Sequence, residues 1–139
     1  MQRRRTKWLA VFALVAALSI LAAACGGSGG GSKALVKLAG KTNIHDTKTA
    51  SGSSIEIEMD DFYFNPTFVK ATAGSTITVD LRNEGSAPHT FTTGDGKVDV
   101  EVKPDKTASV KVTIPQSGSL SFHCRFHQSS GMQGAFAVT

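Results

Sequence analysis

Apolar and polar residues alternate along most of the chain from about Ser53 to its last residue. A period of two places successive side chains on opposite faces of an extended chain, so it predicts half-buried β-strands. Turn-forming residues separate the alternating segments, and this region shows no helical period. The segments are residues 55–59, 68–71, 76–81, 89–92, 98–102, 108–114, 120–124 and 134–138. About eight short strands at such regular spacing predict an all-β sandwich.

The first 24 residues have the three parts of a secretory signal peptide. Residues 1–7 are basic, residues 8–24 are almost wholly apolar, and small residues precede Cys25. Residues 21–25 resemble a bacterial lipobox, which implies that Cys25 becomes the lipidated first residue. An uncleaved transmembrane anchor is the alternative, because 17 apolar residues are near the lower limit for spanning a bilayer. Both alternatives place the rest of the chain outside the cytoplasm, attached to the cell membrane.

A Gly/Ser run over residues 26–32 is typical of a flexible tether. Residues 34–50 show no clear period. The sequence therefore predicts a signal peptide over residues 1–24, a lipidation site and flexible linker over residues 25–52, and a folded domain over residues 53–139. We expect this domain to be a monomer.

The net charge of +4 comes from the signal segment. Four of the 15 basic residues precede residue 8, and the other 11 balance the 11 acidic residues. A formally neutral mature chain without a basic stripe argues against nucleic acid as a partner.

Potential metal ligands stand at fixed spacing near the C-terminus, in the pattern Cys124-x2-His127-x4-Met132. His89 follows a turn about 35 residues upstream. Two imidazoles, a thiolate and a weak axial thioether are the ligand set of blue-copper sites. The sequence therefore predicts one copper ion, cycling between Cu(I) and Cu(II), on these four residues.

The spacing of these residues has a physical reason. Cys124 continues the inward face of a predicted strand, after Leu120 and Phe122, so its sulfur can reach the end of the core. His127 then lies in a tight loop, and Gly131 gives that loop the backbone freedom to bring Met132 back to the same point.

The ligand loop, residues 127–134, resembles that of the plastocyanin, amicyanin and pseudoazurin branch of the cupredoxins. Residues 73–89 follow the same family, and the resemblance covers roughly residues 54–139. It implies a Greek-key β-sandwich, a single type 1 copper, and one-electron transfer between a redox donor and a redox acceptor rather than catalysis. It also implies that His127 protrudes through an apolar patch as the electron port.

The sequence departs from the family at three positions beside the ligands. Phe126 stands where the family often has proline, Thr90 where it often has asparagine, and His123 where plastocyanins often have tyrosine. These departures leave the reduction potential and the docking partner open.

The same residues have other possible uses than copper electron transfer. Zinc accepts Cys and His but not the thioether of Met132. A disulfide between Cys25 and Cys124 would be permitted outside the cytoplasm. A multicopper oxidase is disfavoured, because Arg125 replaces a required histidine. A copper-delivery protein and a metal-free interaction domain remain alternatives.

For the remaining aromatic and titratable residues, the sequence predicts positions in the core, in a turn or on the surface. We expect His45 to play no ligand role, His123 to lie on the surface, and Asp60 and Asp61 to form a solvated turn. Phe126 and Met132 are predicted to frame the rim around His127. The phenylalanines predicted for the core are Phe64, Phe68, Phe91 and Phe122.

Overall fold

The computed structural model describes residues 34–139. The predicted signal peptide, Cys25 and the Gly/Ser run lie outside these residues. Ten β-strands make up the described part, and a 3₁₀ turn at Gln128–Ser130 precedes the last strand. The strands are β1 (Thr47–Thr49), β2 (Ser54–Asp60), β3 (Tyr63–Asn65), β4 (Phe68–Ala71), β5 (Thr76–Asn83), β6 (His89–Thr93), β7 (Asp99–Val102), β8 (Thr107–Thr113), β9 (Ser119–His123) and β10 (Gln133–Val138).

The strands form two sheets that enclose one core. One sheet has six strands in the order β1-β4-β10-β9-β6-β7, and the other has four in the order β3-β2-β5-β8. Inward-facing residues alternate with exposed ones, as β5 illustrates: Ile77, Val79 and Leu81 are buried, whereas Asp80 and Arg82 are exposed. The predicted all-β sandwich is confirmed. No helix in the described part is long and apolar enough to cross a membrane.

Four phenylalanine rings fill the core beneath the predicted copper ligands. Phe122 lies at ring-centroid distances of 5.0 Å from Phe91 and 5.1 Å from both Phe64 and Phe136. The predicted core phenylalanines, Phe68 included, are all fully buried. The same apolar cluster continues to Cys124 and Met132, so the ligand loop rests directly on the core.

Two strands, β1 and β3, were not predicted. Each has three residues, which is too short for a period of two to be recognised. Backbone pairing defines them instead: β1 runs parallel to β4, and β3 runs antiparallel to β2.

Part of the segment predicted to be a flexible linker packs against the sandwich. Besides forming β1, it accepts backbone hydrogen bonds from Thr67 and Phe68 at the carbonyl of Asp46. We call residues 39–46 the N-terminal arm. Residues before the predicted boundary at residue 53 thus pack against the sandwich, held by backbone and side-chain hydrogen bonds.

Candidate metal centre

The predicted ligands come from three places at one end of the sandwich. His89 begins β6, Cys124 directly follows β9, and His127 and Met132 lie in the loop before β10. Strands β6 and β9 are paired neighbours, so His89 and Cys124 leave adjacent strands. The loop is closed at its base, where the Cys124 N–H donates to the Met132 carbonyl over 3.0 Å.

Three ligand atoms converge on one point. Nδ1 of His89 lies 3.1 Å from Nδ1 of His127, and Sγ of Cys124 lies 3.9 and 3.6 Å from these two nitrogens. Metal–nitrogen and metal–sulfur bonds of about 2.0 and 2.3 Å, set at 120°, would separate such donors by about 3.5–3.8 Å. The triangle therefore has the size of a trigonal His₂Cys site.

Met132 is fully buried, and its backbone is bonded to two residues of this triangle. Its N–H donates to the His127 carbonyl over 3.2 Å, and its carbonyl accepts from Cys124. Gly131 precedes it with φ of 102°, a left-handed conformation that favours glycine. The expected role of Gly131 in turning the loop matches this geometry.

The environment of Cys124 favours the thiolate. Burial opposes ionisation, but hydrogen bonds from His89 and from the backbone N–H groups of Thr90, Phe126 and His127 outweigh it and lower the thiol pKa from 9.0 to about 6. The Thr90 N–H lies 3.3 Å from Sγ. A thiolate is the form that binds a soft metal ion.

The lowered pKa gives a pH dependence with a definite sign. The unfolded chain holds the thiol proton up to about pH 9 and the folded protein only up to about pH 6. This group therefore stabilises the metal-free fold increasingly as pH rises from 6 to 9. Below pH 6 the proton competes with the metal, so copper affinity should fall.

Ultraviolet titration of the metal-free protein checks this. The thiolate absorbance should appear with a midpoint near pH 6, and Cys124→Ser should lack that step. A midpoint near the ordinary thiol value would contradict the environment described here.

Thr90, which follows His89, contacts the segment that carries Cys124. Its buried Oγ1 accepts a hydrogen bond of 2.8 Å from the Arg125 N–H. The side chain of Arg125 is held in turn, because its Nε donates to Asp99 Oδ1 over 3.0 Å. Thr90 therefore holds this segment through two contacts: its N–H faces Cys124 Sγ, and its hydroxyl accepts from the Arg125 N–H.

Asp61 contacts the predicted ligand His89, and no pattern in the sequence indicates this contact. Its Oδ1 lies 3.2 Å from Nε2 of His89, and its Oδ2 accepts from the N–H and hydroxyl of Ser86. The Ser86 donors lower the pKa of this carboxyl, burial opposes them, and His89 adds to the lowering. Asp61 is exposed to solvent, as expected, but its carboxylate also contacts Ser86 and His89.

The N-terminal arm meets the other side of the ligand loop. Nε2 of the buried Gln133 lies 2.8 and 2.6 Å from the carbonyl oxygens of Ala39 and Lys41. The Asn43 side-chain amide donates to the Ser130 carbonyl over 3.0 Å. These contacts could not be predicted from the sequence, because residues 39–46 show no periodic pattern of apolar residues.

The rim around His127 is aromatic. His127 is half-buried, and the exposed Phe62 and Phe126 lie at ring-centroid distances of 4.5 and 6.2 Å from it. The prediction that Met132 frames this rim is wrong, because the loop turns its side chain into the interior. Phe62, from the turn between β2 and β3, occupies that place.

The other histidines stand outside the cluster. His123 is half-buried on β9, paired with Thr92 and Gln133. His45 stacks on Tyr63 with ring centroids 3.5 Å apart. Among the described residues, the group of three or more side chains able to hold a metal is His89, Cys124 and His127.

This sandwich, with a His₂Cys triangle at one end, is the architecture of a cupredoxin. The chain belongs to this family, since the cupredoxin-like domain family matches residues 32–138. Its resemblance to the cupredoxins is thereby confirmed.

One relative and two solved structures, among those that match, illustrate what this chain is similar to. The copper-resistant cuproprotein CopI of Pseudomonas aeruginosa is 34% identical over 68 residues, which are 49% of this chain and 35% of that protein. The match therefore spans about a third of the relative's length.

The structural likenesses extend further along the chain. Reduced auracyanin from Roseiflexus castenholzii has a TM-score of 0.57 at 20% identity, covering 65% of this chain and 98% of that one. The metal-binding domain of the Streptococcus pneumoniae Cu(I)-exporting P-type ATPase CopA, with Cu(I), has a TM-score of 0.56 at 13% identity, covering 70% and 99%. These likenesses show the shared fold.

Proposed function

We propose that this chain is a type 1 copper protein that transfers single electrons between redox partners at the outer face of the cell membrane. The observation that carries the proposal is the triangle of His89, Cys124 and His127, two of which are fully buried, with the thiol pKa lowered to about 6. Soft thiolate and borderline imidazole ligands suit copper, and the buried Met132 supplies the weak fourth ligand.

The bound copper would supply a one-electron redox centre. The chain's own contribution is to hold the donors where either oxidation state can use them. Cys124 is fixed by the Thr90 N–H and by its backbone bond to Met132, and His89 is fully buried. Little rearrangement on a change of oxidation state favours fast electron transfer. Half-buried His127, among Phe62 and Phe126, would be the point of electron entry and exit.

The visible spectrum of the full chain tests this function. Addition of Cu(II) should give an intense blue or green thiolate–copper band that bleaches with ascorbate. A protein that retains copper without colour would instead favour Cu(I) handling. A protein that retains no copper would favour a metal-free interaction domain.

Met132→Ala tests the fourth ligand. Because the thioether is a weak axial ligand, the variant should keep the thiolate–copper band, though shifted, and should have a different reduction potential. Spectroelectrochemical titration beside the wild type measures both. Ile77→Ala, a shortening at a buried core position near the start of β5 and outside the ligand triangle, is the control. Identical potentials for wild type and Met132→Ala would exclude Met132 from the ligand set.

Copper delivery is the second candidate function. It is supported by the similarity of this chain to a copper-resistant cuproprotein and to the metal-binding domain of a Cu(I)-exporting ATPase. A handover site should exchange metal quickly, whereas the fully buried His89 and Cys124 should release it slowly. The rate at which a Cu(I) chelator removes the metal distinguishes the two functions.

We also propose that the protein acts outside the cytoplasm as a lipoprotein anchored through Cys25. Support comes from the lipobox-like residues 21–25 and the apolar segment before them. Its partners would be a redox donor and acceptor, with the domain itself a monomer and not an enzyme. Mass spectrometry of the membrane fraction decides the anchor: a diacylglyceryl mass on a chain beginning at Cys25 supports it, and an intact N-terminus supports a transmembrane segment.

A further inference from the structure

The buried ring of His89 is engaged at both nitrogens. Its Nδ1 faces the ligand triangle, 3.1 Å from Nδ1 of His127 and 3.9 Å from Sγ of Cys124. Its Nε2 faces the opposite way and lies 3.2 Å from Oδ1 of Asp61. An ionised carboxylate only accepts hydrogen bonds, so Nε2 of this ring carries a proton.

The Asp61 carboxylate is held in place by the loop between β5 and β6, which contains Ser86. The Ser86 N–H donates to Asp61 Oδ2 over 3.1 Å, and the Ser86 hydroxyl donates to the same oxygen. Oδ1 is thereby left to face His89. Asp61 is one-third exposed while His89 is fully buried, so the carboxylate links the buried ligand to the surface.

Gly85 makes this approach possible. A Cβ at that position would stand 2.6 Å from Asp61 Oδ1 and 2.8 Å from His89 Nε2, closer than real contacts allow. The backbone also fixes the loop, because the Met59 carbonyl accepts from the N–H groups of Glu84 and Gly85. The pair is thus built into the junction of β2, β5 and β6.

We propose, resting on the type 1 copper function above, that Asp61 is a positioning residue for the copper site. It fixes His89 as the Nε2–H tautomer, which points the lone pair of Nδ1 at the metal. Its negative charge strengthens the histidine as a donor and stabilises Cu(II) over Cu(I), so it lowers the reduction potential. Carboxylates that accept from a ligating histidine act on other metals in the same way.

Two variants of the full chain distinguish the effect of the Asp61 charge from its effect on the tautomer of His89. Asp61→Asn keeps an acceptor oxygen and removes the charge, whereas Asp61→Ala removes both. Glu84→Gln is the matched control, because it removes one negative charge from the neighbouring loop, where Glu84 pairs with Arg82 and not with a ligand.

The reduction potential tests the charge. Loss of an outer-shell partner costs about 10–100-fold in metal affinity. If Asp61→Asn weakens Cu(II) tenfold more than Cu(I), the potential rises by about 59 mV. Glu84→Gln should shift it far less. Equal shifts in the two variants would overturn the proposal, because Asp61 would then be one surface charge among others.

Nitrogen NMR of the metal-free full chain tests the position without copper. The wild type should show His89 protonated at Nε2, and Asp61→Ala should show a mixture of tautomers. A wild-type ring without a proton on Nε2, or unchanged protonation of Nε2 in Asp61→Ala, would overturn the positioning role. A wild type without the thiolate–copper band would overturn the proposed function and the effect on the potential, while the tautomer would still decide the positioning role.

Discussion

Cys124→Ser is expected to abolish the thiolate–copper band and to weaken Cu(II) binding by more than about 100-fold, since the loss of an outer-shell partner alone costs 10–100-fold. The hydroxyl of serine does not ionise near neutral pH and is a hard donor that cannot replace a thiolate toward copper. The triangle would be reduced to His89 and His127. Absorption spectra and competition with a chelator of known affinity measure both effects.

The chain offers a matched control in its second cysteine. Cys25→Ser makes the same chemical change outside the described residues and should leave the band intact. If the band and copper affinity survived in Cys124→Ser, or vanished in Cys25→Ser, the assignment of Cys124 as the thiolate ligand would be wrong.

Phe122→Ala is expected to reduce the free energy of unfolding of the metal-free protein by about 3–5 kcal/mol. The ring is fully buried and contacts Phe64, Phe91 and Phe136. Its removal loses the transfer free energy of the ring and leaves a cavity that surrounding strands cannot fill. A domain with a stability of about 5–15 kcal/mol would lose a large part of it.

Urea unfolding at fixed pH measures this loss. Phe126→Ala is the control, because its side chain is 49% exposed and surface substitutions usually change stability by about 0.5 kcal/mol or less. Similar losses in the two variants would contradict the placement of Phe122 at the centre of the core.

The ligand loop could be predicted because its chemistry is contiguous in the sequence. Residues 124–132 carry three of the four proposed ligands, and the strand before them shows which face Cys124 takes. His89 was found because a turn and a strand with a period of two mark its place. The burial of Met132 was not predicted, since the direction of a side chain in a loop depends on backbone angles that residue types leave open.

Asp61 illustrates what the sequence does not reveal. It lies 28 residues from His89, and the two meet because β2 pairs with β5 in a register that sets Met59 opposite Asn83. A different register would separate Asp61 from His89, although the pattern of apolar residues in the sequence would be the same. Strand register, like the backbone bonds of the N-terminal arm, is a long-range property without a local pattern.

Strand β1 has a consequence for how copies of this protein meet one another. It covers the outer edge of β4, whose Phe68 and Val69 are fully buried, and it is itself short and carries Lys48. A long apolar edge with open backbone donors and acceptors invites pairing with the strand of another molecule, whereas a short, charged edge strand discourages it. The short strand before the sandwich therefore also discourages the pairing of two molecules through their sheet edges.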